Sequence, residues 1–301
     1  MKVFPDYYPL FKCIGGACRH NCCIGWEIDI DEDTLALYET VDGPLGERLK
    51  NCISHKDTPH FILSAGERCP FLNEHNLCDI ITCLGEEALC DICAVHPRFV
   101  NETEGRTELG LGLCCEAAGE LFLSRTEMPR LLPATAPRTP LTDEREVLFT
   151  ILFDRSLPLW ERLERLSEHY GLSYTFDPIR TAERYLALEH LEKQWPERLA
   201  RLRLPLDPAP FARYMQARET EYEQLAAYLL YRHFLNFAPT AVIRFVCEAV
   251  HLIFALGAAQ FEQNGAFSFA DQVELCRLFS AEIEYSDENL NLLLYGGSHE
   301  I

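Results

Sequence analysis

Cysteine is the residue whose type and spacing point most directly to chemistry in this chain. The sequence contains fourteen cysteines, and twelve of them lie between Cys13 and Cys115. The first group, Cys13, Cys18, Cys22 and Cys23, follows a C-x4-C-x3-C-C pattern. Thiolates separated by a few residues can turn onto one metal centre, because thiolates are strong ligands for zinc and for iron–sulfur clusters. We therefore interpret this group as part of a metal site.

A second group of cysteines follows later in the chain. Cys90 and Cys93 form a C-x2-C pair, and Cys69 is followed by proline, as in some ferredoxin-type cluster sites. Cys90 is the next candidate after eight preferred ligands. The preferred ligands are Cys13, Cys18, Cys22, Cys23, Cys69, Cys78, Cys93 and Cys114.

The spacing leaves the identity of the metal open between two classes. All-thiolate sites suit either a structural zinc ion or an iron–sulfur cluster. The candidate ligands are spread over about a hundred residues, unlike the paired knuckles of a zinc ribbon. We favour a [4Fe-4S] cluster and keep zinc as the alternative. Cys22 and Cys23 are adjacent, so they could serve different centres.

Composition and charge narrow the function classes. The chain has 301 residues, of which 48% are hydrophobic and 25% charged, which is typical of a globular protein. A net charge of −20 disfavours binding to nucleic acids and to anionic membranes, and it suits a lysine-bearing protein partner. The start of the chain carries Pro5 and Asp6 where an export signal would be apolar. We expect a cytoplasmic protein, in which reduced cysteines are favoured over a disulfide framework.

The sequence predicts a mainly α-helical fold in two parts. Residues 1–127 form the cysteine-rich metal module, with short strands and helices. Residues 128–140 hold four prolines and are interpreted as a linker. Residues 141–301 show sustained helical periodicity, with Thr142 as the expected first N-cap. The most apolar stretch, from Ala241 to Leu256, is short and contains charged residues, so it predicts a core helix and no membrane span.

Several segments together resemble the flagellin lysine-N-methylase family. In the N-terminal part they are Cys13-Ile-Gly-Gly-Ala-Cys18, Cys22-Cys23-Ile-Gly-Trp26 and Cys69-Pro-Phe-Leu-Asn-Glu. In the C-terminal part they are Tyr231-Arg232-His233-Phe234 and the run from Glu282 to Asn289. The chain departs from the family pattern at His96, where an aromatic ring is usual, and at Cys115, where proline is usual.

This resemblance implies an enzyme. It implies methyl transfer from S-adenosylmethionine to lysine ε-amines of a protein substrate, flagellin in the named members, with a cysteine-bound iron–sulfur cluster. The sequence contains no glycine-rich strand-to-helix loop of the Rossmann methyltransferase kind, so no donor-binding residues are identified.

The candidate catalytic residues are few. A lysine methyltransferase must deprotonate or desolvate its amine, and Tyr285, Glu282 and Glu284 are the candidates for this task. Arg98 either binds a carboxylate of the donor or braces the loop after Cys93. The alternative function is a metal-chelating or redox-sensing protein without transferase activity.

Overall fold

A computed structural model describes residues 1–103 and 105–295, and within it the chain forms two compact units. The cysteine-rich unit comprises Lys12–Arg98, and the helical unit comprises Met1–Phe11 together with the chain from Phe99 onward. The division differs from the expected boundary at residues 128–140. The segment after Phe99, expected in the metal module, belongs to the helical unit.

Helices dominate the described residues, as the sequence predicts. The strands, in chain order, are β1 Lys2–Pro5, β2 Ile53–Ser54, β3 His60–Phe61, β4 Arg98–Thr103, β5 Arg106–Leu111 and β6 Leu131–Leu132. The first seven helices are α1 Glu32–Glu39, α2 Gly43–Cys52, α3 Asp79–Leu84, α4 Asp91–Val95, α5 Glu116–Leu123, α6 Pro140–Leu152 and α7 Leu159–His169. The others are α8 Pro178–Leu186, α9 Gln194–Arg201, α10 Ala209–Met215, α11 Glu219–His233, α12 Pro239–Asn264, α13 Phe269–Phe279 and α14 Asp287–Tyr295.

The cysteine-rich unit has a small apolar core of its own. Tyr38 from α1 donates a hydrogen bond to the Ala88 carbonyl at 2.8 Å, and Phe61 packs against Phe71 with 5.1 Å between ring centroids. Short elements and long loops surround this core. A unit with so little buried apolar surface is typical of a fold that a bound metal or another crosslink stabilises.

The helical unit begins with a small mixed sheet whose strand order is β4, β5, β1, β6. Strand β1 runs parallel to β5, with Val3 opposite Glu108, and antiparallel to β6, with Phe4 opposite Leu132. The proline-rich stretch therefore carries a sheet strand and is no free linker. Local sequence patterns could not reveal this, because β6 pairs with β1, which lies far away in the sequence.

Helices α11 and α12 lie at the centre of the helical unit. Every residue of α11 from Glu221 to His233 is buried, so the helix is enclosed on all sides and is not amphipathic as its apolar spacing suggested. Its charged side chains must therefore find partners inside the protein. Glu223, for example, pairs with both Arg155 and Arg162.

The start of the helical region differs from the prediction in two details. Helix α6 begins at Pro140 and is capped by Thr139, because proline fits the first helical position, where no backbone donor is needed. Thr142 is the reciprocal partner in this capping box and not the cap itself. Between residues 141 and 295 the structure contains helices and loops only, as predicted.

Helix α12 is longer than the apolar stretch read from the sequence. It has 26 residues and, within the described chain, is the one helix long and apolar enough to cross a membrane by length and composition. Most of its apolar window is buried among the other helices. This burial agrees with the prediction of a core helix.

Candidate metal centre and candidate active site

Six thiols of the cysteine-rich unit lie close enough to interact with one another, and we call them the thiol cluster. Its members are Cys22, Cys23, Cys69, Cys78, Cys90 and Cys93. Cys69 and Cys90 are buried, and the others are partly buried or exposed. The cluster joins the first sequence group to the second, as the spacing argument requires.

Backbone pairing brings the two sequence groups together. The amide of Cys69 donates to the carbonyl of Cys23 at 2.8 Å, and Leu72 forms an isolated bridge with Cys78. Cys78 immediately precedes α3, and Cys90 immediately precedes α4, which carries Cys93. The residues between the cysteines thus fix where each thiol enters the cluster.

The electrostatics of the cluster suit a bound cation. The hydrogen bond to Cys22, together with burial, raises the pKa of the Cys23 thiol, while the same bond lowers the pKa of Cys22 to about 7. Burial raises the pKa of Cys69 to about 11, with Cys78 nearby. Crowded thiols cannot all ionise alone, because like charges repel in a partly dry site. A metal would displace these protons and offset the charge, so the residues fit a thiolate-bound metal.

The thiol cluster contains two close pairs. The side chains of Cys22 and Cys23 are hydrogen-bonded to each other, and so are the side chains of Cys90 and Cys93. All-thiolate sites suit either a zinc ion or an iron–sulfur cluster.

Cys13 and Cys18 lie in the loop that precedes the cluster. The Cys13 sulfur accepts a bond from the Gly15 amide at 3.4 Å, and the Cys18 thiol donates to the His20 carbonyl at 3.2 Å. A Cβ on Gly16 would lie 2.5 Å from the carbonyl oxygen of His75, so this loop packs tightly on the segment leading to Cys78. The ligand role of Cys13 and Cys18 stays a prediction.

The other cysteines outside the cluster differ in their burial and contacts. Cys247 and Cys276 are fully buried in helices of the helical unit, as expected for small apolar side chains. Cys83 is exposed on α3. Cys114, a candidate metal ligand, lies in the helical unit, where it accepts a hydrogen bond from the Tyr285 hydroxyl. Burial raises the pKa of the Cys114 thiol to about 12.

This contact leads to a buried polar network in the helical unit, which we call the Glu284 network. Glu284 is fully buried and receives a hydrogen bond from Tyr228 at 2.9 Å. It contacts His233 Nε2 at 2.7 Å and Arg232 Nε at 3.4 Å. Arg232 in turn donates to the Tyr228 hydroxyl at 2.7 Å. The members of the network are Cys114, Tyr228, Arg232, His233, Glu284 and Tyr285.

The charges of the network are balanced internally. Burial opposes ionisation of Glu284, yet Arg232 and His233 hold the pKa of Glu284 below its ordinary value. Burial also lowers the pKa of His233, so this ring stays neutral near pH 7. The network therefore contains a carboxylate and a guanidinium, with Tyr285 over the guanidinium at 4.8 Å from its ring centroid. Tyr285 is 42% exposed and connects the network to solvent.

Two local features place these side chains. A π-helical turn, Ser280–Glu284, follows α13 and sets Glu284 and Tyr285 at its end. Such turns are frequent at functional sites, because they re-aim the residues that follow. Opposite them lies Gly112, where a Cβ would overlap the Tyr285 hydroxyl, so a glycine is needed for this close approach.

Three sequence-based assignments change in the structure. The sequence alone favours a helix surface or an interdomain contact for Arg232 and His233, but in the structure both side chains are buried in the network. Glu282 accepts backbone bonds from Leu191 at 2.9 Å and Glu192 at 2.5 Å, so its carboxylate holds a loop.

Arg98 ends the cysteine-rich unit. Burial, and after it the charge of Arg98, lowers the pKa of His96 to about 4. Both suggested roles of Arg98, donor binding and bracing of the loop after Cys93, stay predictions.

Tyr228 was missed by the sequence analysis. It lies one helical turn before Arg232 in α11, and that spacing was the available signal. Because Tyr228 stands among the apolar residues at helical spacing in α11, it looked like an ordinary core residue.

Comparisons with known proteins identify the family. A profile of the FliB lysine N-methylase C-terminal domain matches residues 175–296, which contain five of the six network residues. The Flagellar biosynthetic protein FliU of Salmonella muenchen is 30% identical over 118 residues, which cover 37% of this chain and 70% of that protein. The chain belongs to the FliB lysine N-methylase family.

Relatives in this family with longer matches are known from two Salmonella strains. The Lysine-N-methylases of Salmonella typhimurium and Salmonella choleraesuis are each 24% identical to this chain over 247 residues. The match covers 80% of this chain but only 57% of each relative. No solved structure matches this FliB-family chain.

Proposed function

We propose that this protein transfers methyl groups from S-adenosylmethionine to lysine ε-amines of a partner protein, with flagellin as the first candidate substrate. Family membership supports lysine as the acceptor. One structural observation carries the proposal further. The two C-terminal sequence segments that carry the family resemblance, at Arg232-His233 and at Glu284-Tyr285, meet in one buried network with a single partly exposed tyrosine.

The chemistry of the transfer sets the requirements of the site. The lysine amine must be neutral when it attacks, because a protonated ammonium has no lone pair. Its nitrogen then gains the bond to the methyl carbon, the bond from that carbon to sulfur breaks, and the amine loses its extra proton to water. The protein contributes positioning and a desolvated environment.

Tyr285 is the residue best placed to touch the substrate amine. Its hydroxyl is held by the bond to Cys114, and its ring is held over Arg232. A fixed hydroxyl oxygen can accept a hydrogen bond from the amine and orient the nitrogen lone pair. Glu284 and Arg232 act as positioning residues through Tyr228 and Tyr285. Glu282 is assigned to the support of a loop.

We assign the thiol cluster to a bound [4Fe-4S] cluster, with zinc as the alternative. The ligands are drawn from a long stretch of chain, from Cys22 to Cys93, unlike the paired knuckles of a zinc ribbon, and this supports the multi-iron centre. The preferred ligands are Cys22, Cys69, Cys78 and Cys93, and the neighbouring thiols are those of Cys23 and Cys90. The group would crosslink the short elements of the cysteine-rich unit and so stabilise its fold.

Charge supports the choice of partner. The net charge of −20 favours encounter with a lysine-rich protein surface at low ionic strength. We place the protein in the cytoplasm, where thiols stay reduced.

The second candidate function is metal chelation or redox sensing without methyl transfer. It is favoured by one observation, the lack of a doubly wound sheet or a glycine-rich phosphate-type loop among residues 1–103 and 105–295. Binding of S-adenosylmethionine separates the two candidates.

The test combines donor binding with transfer. The protein is purified anaerobically with its metal, and binding of S-adenosylmethionine is measured by calorimetry. Labelled methyl donor is then added with purified flagellin. We expect Tyr285→Phe to lower the rate of lysine labelling at least tenfold. Tyr214→Phe is the matched control, because Tyr214 is 44% exposed but lies outside the network.

The outcomes are distinct. Equal loss of labelling in both tyrosine variants would reject the role of Tyr285. No binding of the donor to the metal-loaded protein at millimolar concentration would reject methyl transfer and leave the chelation candidate standing.

A further inference from the structure

An open groove of about 690 Å³ lies in the helical unit. It is bounded by α7, by residues 174–176 of the loop that follows α7, and by α12. Its size falls in the range of ligand-binding pockets. None of its lining residues belongs to the Glu284 network. The groove therefore needs an explanation of its own.

One side of the groove is a wall of aromatic rings. The ring of His251 lies 4.8 Å from Trp160, 5.3 Å from Tyr174 and 5.4 Å from Phe176, measured between centroids. His251 Nδ1 donates to the Cys247 carbonyl at 2.7 Å, and burial lowers the pKa of His251. The ring is thus neutral near pH 7 and does not repel a cation. Aromatic faces attract alkylammonium groups.

The other side is acidic. Glu161, Glu164 and Glu168 share one face of α7, at spacings of three and four residues. Arg165 is the cation that also lines the groove, and it pairs with Glu161 at 3.2 Å. Glu164 and Glu168 are exposed and have no ion-pair partner within the described residues. The groove therefore has an excess of negative charge.

We propose that the groove is a docking site for a lysine side chain on a segment of the partner protein. This inference rests on the proposed function, because it assumes a lysine-bearing substrate. The aromatic wall packs the aliphatic stem and attracts the ammonium group, while the carboxylates of Glu164 and Glu168 accept its hydrogen bonds. Anionic ligands such as nucleotides are disfavoured by the same carboxylates. The groove is open to solvent, which suits a passing chain better than an enclosed small molecule.

The test measures peptide binding without any methyl donor. A fluorescent peptide with several lysines is titrated with the intact protein, beside the same peptide with acetylated lysines, which lack the charge. We expect the acetylated peptide to bind about tenfold more weakly. The double variant Glu164→Gln, Glu168→Gln should weaken binding of the lysine peptide by a similar factor.

A matched control removes the same charge elsewhere. Glu197 and Glu262 are exposed residues outside the groove, and Glu197→Gln with Glu262→Gln removes the same number of negative charges as the groove variant. This control should leave binding within about twofold of the unaltered protein. Equal weakening by both double variants, or equal binding of the acetylated peptide, would overturn the proposal. Butylamine that binds as tightly as the peptide would overturn the assignment to a protein segment.

The test also separates this inference from the proposed function. If peptide binding depends on the groove but no methyl transfer occurs, the groove stands and the proposed function fails. If transfer proceeds and its KM is unchanged by Glu164→Gln, Glu168→Gln, the groove proposal fails and the proposed function stands.

Discussion

The pair formed by Arg232 and Glu284 allows a quantitative test of the buried network. Glu284→Gln keeps the shape of the side chain but removes its charge, and it leaves the guanidinium of Arg232 buried without a carboxylate. The side chain of Glu284 is 0% exposed and that of Arg232 is 11% exposed. Breaking such a pair costs about 3–5 kcal/mol, because a charge remains in a dry site. For a unit of this size we expect a melting temperature lower by roughly 6–20 °C.

The opposite variant has a different pH dependence. In Arg232→Met the carboxyl of Glu284 loses the cation that lowers its pKa, and burial then raises that pKa above the ordinary value. A raised folded-state pKa favours folding at low pH and loses this advantage as pH increases. The destabilisation by Arg232→Met should therefore be smaller at pH 5 than at pH 8.

The assay is a double-mutant cycle followed by circular dichroism during urea and thermal unfolding. The double variant Arg232→Met, Glu284→Gln should cost about 1–3 kcal/mol less than the sum of the single variants, since neither charge remains. The exposed pair of Arg138 and Asp143 supplies the control, and Arg138→Met should leave the free energy of unfolding nearly unchanged, because solvent screens this pair. Additive costs at the buried pair, with no dependence on pH, would refute the reasoning.

Three further predictions concern the metal and the close approach at Gly112. Cys93→Ser should lower the metal content per protein chain after anaerobic purification, while Cys83→Ser should not; equal metal contents would contradict the assignment of the thiol cluster. Gly112→Ala should cost about 1–3 kcal/mol of unfolding free energy, since its methyl group overlaps the Tyr285 hydroxyl, and it should slow methyl transfer. An unchanged stability and rate would show that this approach is loose. Removal of the metal by a chelator should expose residues 12–98 to limited proteolysis first, because the small core there depends on the metal; simultaneous cleavage of both units would oppose this.

The sequence predicted the helices better than the topology. Helical spacing identifies α11 and the apolar centre of α12, because this signal is local, although α12 extends well beyond the apolar stretch. The pairing of β1 with β5 could not be predicted, because it joins segments about a hundred residues apart. The pairing is also short, with Lys2 opposite Thr107 and Val3 opposite Glu108. For the same reason the unit boundary was placed at the prolines and not at Phe99.

The candidate sites show the same division between local and long-range information. The cysteine spacing selected members of the thiol cluster, since the chemistry of a thiol is carried by the residue type itself. Only part of the Glu284 network was identified from the sequence. Tyr285 and Glu284 stood out as residues, but the partnership of Glu284 with Arg232 and His233 depends on the packing of a π-helical turn against α11. No local pattern encodes that contact.

The most direct test of the proposed function is to locate transferred methyl groups by mass. Purified flagellin is incubated with the anaerobically prepared, metal-loaded protein and S-adenosylmethionine, and its peptides are sequenced by tandem mass spectrometry. We predict methyl groups on lysine ε-nitrogens that are absent without the donor and strongly reduced with Tyr285→Phe. If the protein binds the donor and flagellin but every lysine remains unmodified, lysine methylation of flagellin by this protein is contradicted.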